Sequence, residues 1–407
     1  MLIKIKEMKA FKIIPVLLIA FCVGCSSGDD NNGPQVGGPT EGGDPNSNPT
    51  TPPTDNESEN EDPFVDDPFV YDATQNLKDV ASFPLGNIVS ASKLASTSTS
   101  NATFKTLLSQ EYNSITAEND MKMGNMFTGP DTYDFSDGDA IVSYASTNGF
   151  RVHGHALIWH SSIPSWLNDF EGTDEEFEAQ VENYVKATVA HFAEATDGEG
   201  NPVVESWDVV NEYFDGASIR TSLFTERIGT DFHKKAFQWA READPDVKLF
   251  YNDYNIAGEV GKRNAIINMV SDFQDEDIPI DGIGMQMHLN HDWPSSDLPI
   301  SIQDISDTGL LVHVSELDVK ANYSDDIDEL TEERAVAQEL QYQRAGYYYT
   351  SIVPQAQQFG LTLWGFRDQD SWLYDGGSDW PLLYDGDFNT KISHRGLLAG
   401  LEGKNPE

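Results

Sequence analysis

Between residues 83 and 368 the chain alternates short apolar or β-rich runs with longer amphipathic stretches. Eight such runs can be marked: FPLGNIVS (83–90), SITAEN (114–119), VHGHALIW (152–159), VESWDVVNE (204–212), KLFYNDYN (248–255), GIGMQMHL (282–289), LVHVSELDV (311–319) and LTLWGFRD (361–368). The stretches between them include helix-like segments at 174–195, 221–243, 258–273 and 329–353. Strand-like runs separated by helix-length segments predict β-α units and a parallel sheet. Eight units are the number that closes a (β/α)₈ barrel, the TIM barrel, with the helices as an outer ring. One such α/β domain over residues 71–407 leaves no room for a second folded module.

Polar side chains gather at the ends of these runs. Glu118 and Asn119 end the second, His155 and Trp159 the third, Asn211 and Glu212 the fourth, and Asn252 and Tyr254 the fifth. Gln286 and His288 end the sixth, Glu316 and Asp318 the seventh, and Trp364 the eighth. Barrel enzymes build their sites from the C-terminal ends of strands, so the placement favours a barrel. A doubly wound sheet is the alternative, but it would not load so many strand ends, and no GxGxxG turn follows any strand to support a nucleotide fold.

The chain ahead of residue 71 has a different character. Lys4, Lys6, Lys9 and Lys12 precede the apolar run Ile13 to Val23, which is shorter than the roughly 20 residues needed to span a bilayer and matches the core of an export signal. Met8 also opens a complete signal. The run ends in CVGCSSGDD, which resembles a bacterial lipobox with Cys25 as the lipidated residue after removal of residues 1–24. Ordinary secretion with cleavage nearby is the alternative. Residues 25–70 are Gly, Pro, Asn, Thr and acid-rich, with no Lys or Arg, and read as a disordered tether.

Charge and cysteine content narrow the function. Lys plus Arg number 25 against 68 Asp plus Glu, a formal charge of -43, and such a field repels nucleic acids and anionic lipid. A strongly hydrated surface is the plain account of the acidity. Contact with a membrane is therefore expected only through the N-terminal lipid. Cys22 and Cys25 both lie in the leader, so the body of the chain has no disulfide framework, thiolate metal cluster or cysteine nucleophile.

Glu212 and Glu316 end the fourth and seventh runs, which a closed barrel places across its mouth. Two facing carboxyl groups are what glycoside hydrolysis needs: one protonated to assist the leaving oxygen, the other ionised. In so acidic a chain, any single Glu could equally be a surface acid. Aromatic residues weigh toward sugar chemistry, because Trp159, Trp364, Trp372, Tyr251 and Tyr254 fall at or after strand ends, where flat faces stack on sugar rings. Trp159 could also be core.

Seven ordered motifs, SITAENDMK, GHALIWH, WDVVNE, YNDYN, GMQMH, VSELDV and LTLWGFRDQDSWL, resemble glycoside hydrolase family 10, the retaining endo-β-1,4-xylanases, over residues 75–400. The resemblance implies a (β/α)₈ barrel, no obligatory metal or cofactor, and xylan or xylo-oligosaccharides as substrate. It implies Glu212 as general acid/base, Glu316 as nucleophile and Asn211 on the sugar 2-hydroxyl. His288 would orient Glu316, with Asp318 behind it and Gln286 lining the same site. Glu118, Asn119 and Lys122 would clamp the non-reducing side, and His155 would contact a hydroxyl at the cleavage subsite. Trp159, Trp364 and Trp372 would wall the sugar, and Tyr251, Asn252 and Tyr254 would serve the leaving-group side. Departures from the family pattern are Met123, Ala156, Ser315 and Arg367. The last is expected to reshape the wall above the cleaved sugar. His153 reads as a barrel-interior histidine, and a monomer is expected.

Three rival functions remain at this level. His153 and His155, two apart on one strand, could begin a zinc site completed by His288 and Asp318. That reading leaves WDVVNE and the tryptophans unexplained. A tethered carbohydrate-binding protein would not require both glutamates. The same barrel acting on another β-1,4-glycan would carry nearly the same motifs.

Overall fold

The computed structural model describes residues 75–406. The export segment, Cys25 and the tether lie outside the described residues. Eight parallel strands form the central sheet: β1 (Leu85–Val89), β2 (Ser114–Ala117), β3 (Arg151–Gly154), β4 (Val204–Asn211), β5 (Lys248–Asp253), β6 (Gly282–Met285), β7 (Leu311–Lys320) and β8 (Gln358–Leu363). Each pairs with its sequence neighbour, and β8 pairs back onto β1 with Leu85 beside Leu361, so the barrel closes. The strands are buried on both faces, by the barrel interior and by helices, and carry apolar residues interspersed with polar ones such as His153, Asp208, Asn252 and His313 that bond polar partners inside.

A helix follows each strand: α1 (Thr99–Glu111), α2 (Ser136–Asn148), α3 (Asp174–Ala193), α4 (Phe232–Ala243), α5 (Val260–Asp275), α6 (Asp297–Ser306), α7 (Glu332–Ile352) and α8 (Ile392–Leu401). Their starts are written locally. The Ser98, Thr173 and Thr331 hydroxyls accept from the backbone at the third residue beyond, and Glu176 returns the bond to Thr173 in a capping box. The helix expected over 221–243 is instead two, Leu223–Arg227 and α4, because Gly229 at φ 113 turns the chain out of helical geometry.

Two expected strands also divide. The third run stops at Gly154 and resumes as Ile158–Trp159 beside Val210 and Asn211 of β4. The sixth stops at Met285 and resumes as His288–Asn290 beside Asp318 to Lys320 of β7. Met287 between the segments has φ 55, a left-handed turn that breaks the strand. These second segments lift Trp159 and His288 above the barrel rim.

Toward the N-terminal ends of the strands the barrel is filled, not hollow. His153, Phe250, His313 and Phe359 pack ring on ring, with centroids 4.7 Å apart for the two histidines and 4.5 Å for the two phenylalanines. The packed floor leaves the C-terminal ends of the strands as the open face.

Candidate active site

A cleft of about 480 Å³ occupies that face. Glu118, Asn119, Lys122, His155, Trp159, Asn211, Glu212, Tyr254, Gln286, His288, Glu316, Trp364 and Trp372 all line it, joined by Asn255. Asp318 stands behind, fully buried.

Glu212 follows the last residue of β4 and has φ 59. In an unbroken strand neighbours point to opposite faces. The left-handed turn cancels that alternation, so Asn211 and Glu212 both reach the cleft. Gln286 donates to Oε1 of Glu212 at 3.2 Å and Asn211 donates to the same oxygen at 3.2 Å. His160, beside Trp159, brings Nδ1 within 4.0 Å of Oε2.

Glu316 comes from the middle of β7 and is 5% exposed. Asn252 connects it to β4. Its amide nitrogen donates to Oε1 of Glu316 at 2.7 Å and to Oδ1 of Asn211 at 3.0 Å, while its oxygen accepts from the Ser315 hydroxyl at 2.6 Å. All three bonds fix one orientation of the amide, so Ser315 holds Asn252 and Asn252 holds Glu316.

His288 completes the setting, with Nδ1 2.9 Å from Asp318 and Nε2 3.3 Å from Glu316. Burial works against a charged imidazole, but the Asp318 charge and the hydrogen bonds to both acids outweigh it and push His288 up to about 10. Burial likewise would raise Glu316. The hydrogen bond from His288 and the charges of His155 and His288 overcome that and hold the carboxyl below its ordinary value. A buried carboxylate kept ionised by positive neighbours can attack an electrophilic carbon or stabilise a cation.

The β2 and β3 side of the cleft is polar beneath an aromatic wall. Lys122 bonds Asn119 at 3.0 Å, and its ammonium lies 4.7 Å from the centroid of the Trp159 ring. Burial raises Glu118, against the pull of Lys122 and Lys93. His155 bonds Asp208 through Nδ1 at 2.8 Å and meets the Trp364 ring edge to face, with centroids 5.3 Å apart. Trp372 is 61% exposed, yet its Nε1 donates to Asp318 at 3.0 Å.

Several expected residues lie elsewhere. Tyr251 is fully buried with its hydroxyl on Asp253, and so belongs to the packing outside the barrel. Asn252 sits between Asn211 and Glu316 rather than on a leaving-group side. Arg367 does not line the cleft: it grips Asp370 with two nitrogens at 2.8 and 2.9 Å and lies 4.4 Å over Phe388, bracing the loop after β8. His153 points into the barrel, on Ser206 at 2.7 Å and Asp208 at 3.0 Å. Among the described residues no group of three or more His, Cys, Asp or Glu is placed to hold a metal ion. The sequence reading passed over Arg220, whose Nε donates to the Glu212 carbonyl at 3.1 Å. Its signal would have been a lone cation in the loop after WDVVNE.

A closed barrel with two carboxyl groups and three tryptophans over a sugar-sized trough defines a glycoside hydrolase. Residues 73–399 match glycosyl hydrolase family 10, and the chain belongs to that family. It is 36% identical over 356 residues to endo-beta-1,4-xylanase Xyn10C of Cellvibrio japonicus, covering 81% of this chain and 58% of the relative. It is 35% identical over 303 residues to a beta-1,4-xylanase of Dictyoglomus thermophilum, covering 71% of this chain and 82% of the relative. The structure of a mutant xylanase 10C from Cellvibrio japonicus in complex with xylopentaose superposes with a TM-score of 0.76 at 34% identity, covering 82% of this chain and 70% of that one. The chain thus spans under three fifths of the length of two Cellvibrio japonicus xylanases it matches, 58% and 57%.

Proposed function

We propose that this protein is an endo-1,4-β-xylanase that hydrolyses internal bonds of xylan with retention of anomeric configuration. The observation that carries the reading is the joining of Glu212 and Glu316, from opposite strands, through Gln286, Asn211 and Asn252 beneath a tryptophan-walled cleft. Glu316 attacks the anomeric carbon while Glu212 gives its proton to the leaving oxygen. Glu212 then takes a proton from water, which releases the sugar from Glu316. Asn211 and His155 hold hydroxyls of the cleaved sugar, Glu118, Asn119 and Lys122 clamp the non-reducing side, and Tyr254 faces the leaving group. The cleft continues into a groove of about 650 Å³ past Asn255, His288 and Trp372, which supports binding of a long chain rather than its tip.

The charged leader and CVGCSSGDD support export with a lipid on Cys25, which would hang a monomeric enzyme from the cell surface by residues 25–70. A Cys25→Ser variant should leave the membrane fraction. No helix among the described residues is long and apolar enough to cross a membrane.

The deciding experiment is reducing-sugar release from xylan and from soluble cellulose by the purified protein, with Glu316→Ala beside it. Release from xylan by the parent and none by the variant supports the reading. Preference for cellulose moves the substrate to another β-1,4-glycan. Equal turnover by the variant sinks the mechanism.

A further inference from the structure

Behind Tyr254 lies a set of charged groups that the two glutamates do not use. The Lys262 ammonium, from the first turn of α5, is wholly buried and lies 2.6 Å from Oδ1 of Asp253, also wholly buried. The same ammonium stands 3.2 Å from the centroid of the Tyr254 ring. Arg220 donates through Nη2 to the Tyr254 hydroxyl at 2.8 Å. Tyr254 is therefore held by its rear face, by its hydroxyl and by its own backbone, whose N–H donates to Asp253 at 2.9 Å. The part of the ring left open looks into the cleft.

Two routes lead from this cradle to the peptide that joins Glu212 to Tyr213. Arg220 spans one, with Nε on the Glu212 carbonyl at 3.1 Å. The other passes from Asp253 to the Tyr251 hydroxyl, which accepts the N–H of Tyr213 at 3.2 Å. Burying an ammonium and a carboxylate is a poor way to gain stability, because desolvation consumes most of their attraction. It is a good way to fix a ring in one place, since the charges have nowhere else to go.

We propose that Lys262, Asp253 and Arg220 are positioning residues that fix Tyr254 as the seat of the leaving-group sugar, in register with Glu212. The inference rests on the xylanase reading above. A sugar leaving group must have its oxygen in line with the Glu212 proton, and a seat tied to the Glu212 backbone keeps that alignment. A dinitrophenyl leaving group, whose phenolate departs without a proton, has no need of it.

The test compares kcat/KM on xylotetraose and on a dinitrophenyl β-xylobioside for the parent and Lys262→Met. The expected result is a loss of about tenfold or more on xylotetraose, as for a misplaced reactant. The aryl substrate should stay within about twofold of the parent. Adding Lys262→Met to Tyr254→Ala should bring no further loss on xylotetraose. Equal losses on both substrates, or none, overturn the proposal. If Lys262→Met does not fold, Arg220→Lys carries the same comparison, at a side chain 17% exposed, and must show the same split. A parent inactive on every xylan substrate would instead overturn the xylanase reading.

Discussion

The indole N–H of Trp372 donates to Oδ2 of Asp318 at 3.0 Å, so a ring that is 61% exposed is fastened by a carboxylate that solvent does not reach. The other oxygen of Asp318 takes Nδ1 of His288, whose Nε2 reaches Glu316. One buried carboxylate thus aligns both a wall of the cleft and the acid beneath it. Trp372→Ala should raise KM for xylan about tenfold, since an aromatic contact is worth roughly 1–1.5 kcal/mol. Trp372→Phe keeps a flat face and loses only the N–H, so its KM should fall between. Identical KM in all three proteins would remove Trp372 from the wall.

His288 ties the pH response of turnover to that of stability. If Glu316 must be ionised to attack, the acid limb of kcat/KM lies below the usual glutamate range. In His288→Gln the imidazolium is gone, the Glu316 pKa rises, and the limb moves up by on the order of one pH unit. A limb that stays put would mean that another group sets it. Stability runs the other way with pH. His288 binds its proton more tightly folded, at about 10 against an ordinary 6.5, so its contribution is full below 6.5 and is lost as pH rises through about 10. The melting temperatures of parent and variant should therefore converge over that window.

The strands were legible because short β-rich runs recur between helix-length amphipathic stretches, and a cluster of polar residues where such a run ends has little packing reason to be there. That reasoning placed Glu212, Gln286 and His288 at the open face without any contact information. It misplaced Tyr251 for a reason visible in hindsight: Asn252 points into the barrel, so Tyr251 and Asp253, one residue to either side, must point out toward α5. Lys262 and Arg220 carried no signal of that kind. GKRN reads as a solvated first turn of a helix, and only the docking of that turn against β5 shows Lys262 beneath Tyr254.

Gly154 tests how closely the barrel packs against its outer helices, since it alternates with the inward His153 and faces Trp207, whose ring lies 5.7 Å from that of Phe192 on α3. A Cβ there would stand 2.3 Å from the ring of Trp207, which is fully buried and lies on the neighbouring strand. Neither backbone can yield, because both are paired in the barrel. Gly154→Ala should cost about 1–3 kcal/mol, read as a lower denaturant midpoint with an unchanged slope. It should also lower activity, because His155 and Asp208 follow the two residues that collide. A midpoint equal to the parent's would show that the ring can shift.

In the proposed mechanism Glu212 acts twice, and the two acts can be separated by the substrate. For a xylo-oligosaccharide the leaving alcohol needs its proton, so Glu212→Ala should lose roughly 10²–10⁴-fold in the bond-breaking step. A dinitrophenyl xylobioside leaves without that proton, and its first step should be nearly unaffected. The second step still lacks a base to activate water, so the sugar should accumulate on Glu316. Stopped-flow measurement should then show a burst of aryl release close to one equivalent per enzyme, with the added mass found on the Glu316 peptide. Azide, which attacks without needing a base, should restore turnover and yield a glycosyl azide of the substrate's own configuration. A burst absent from Glu212→Ala, or a product of opposite configuration, would reverse the roles assigned to the two glutamates.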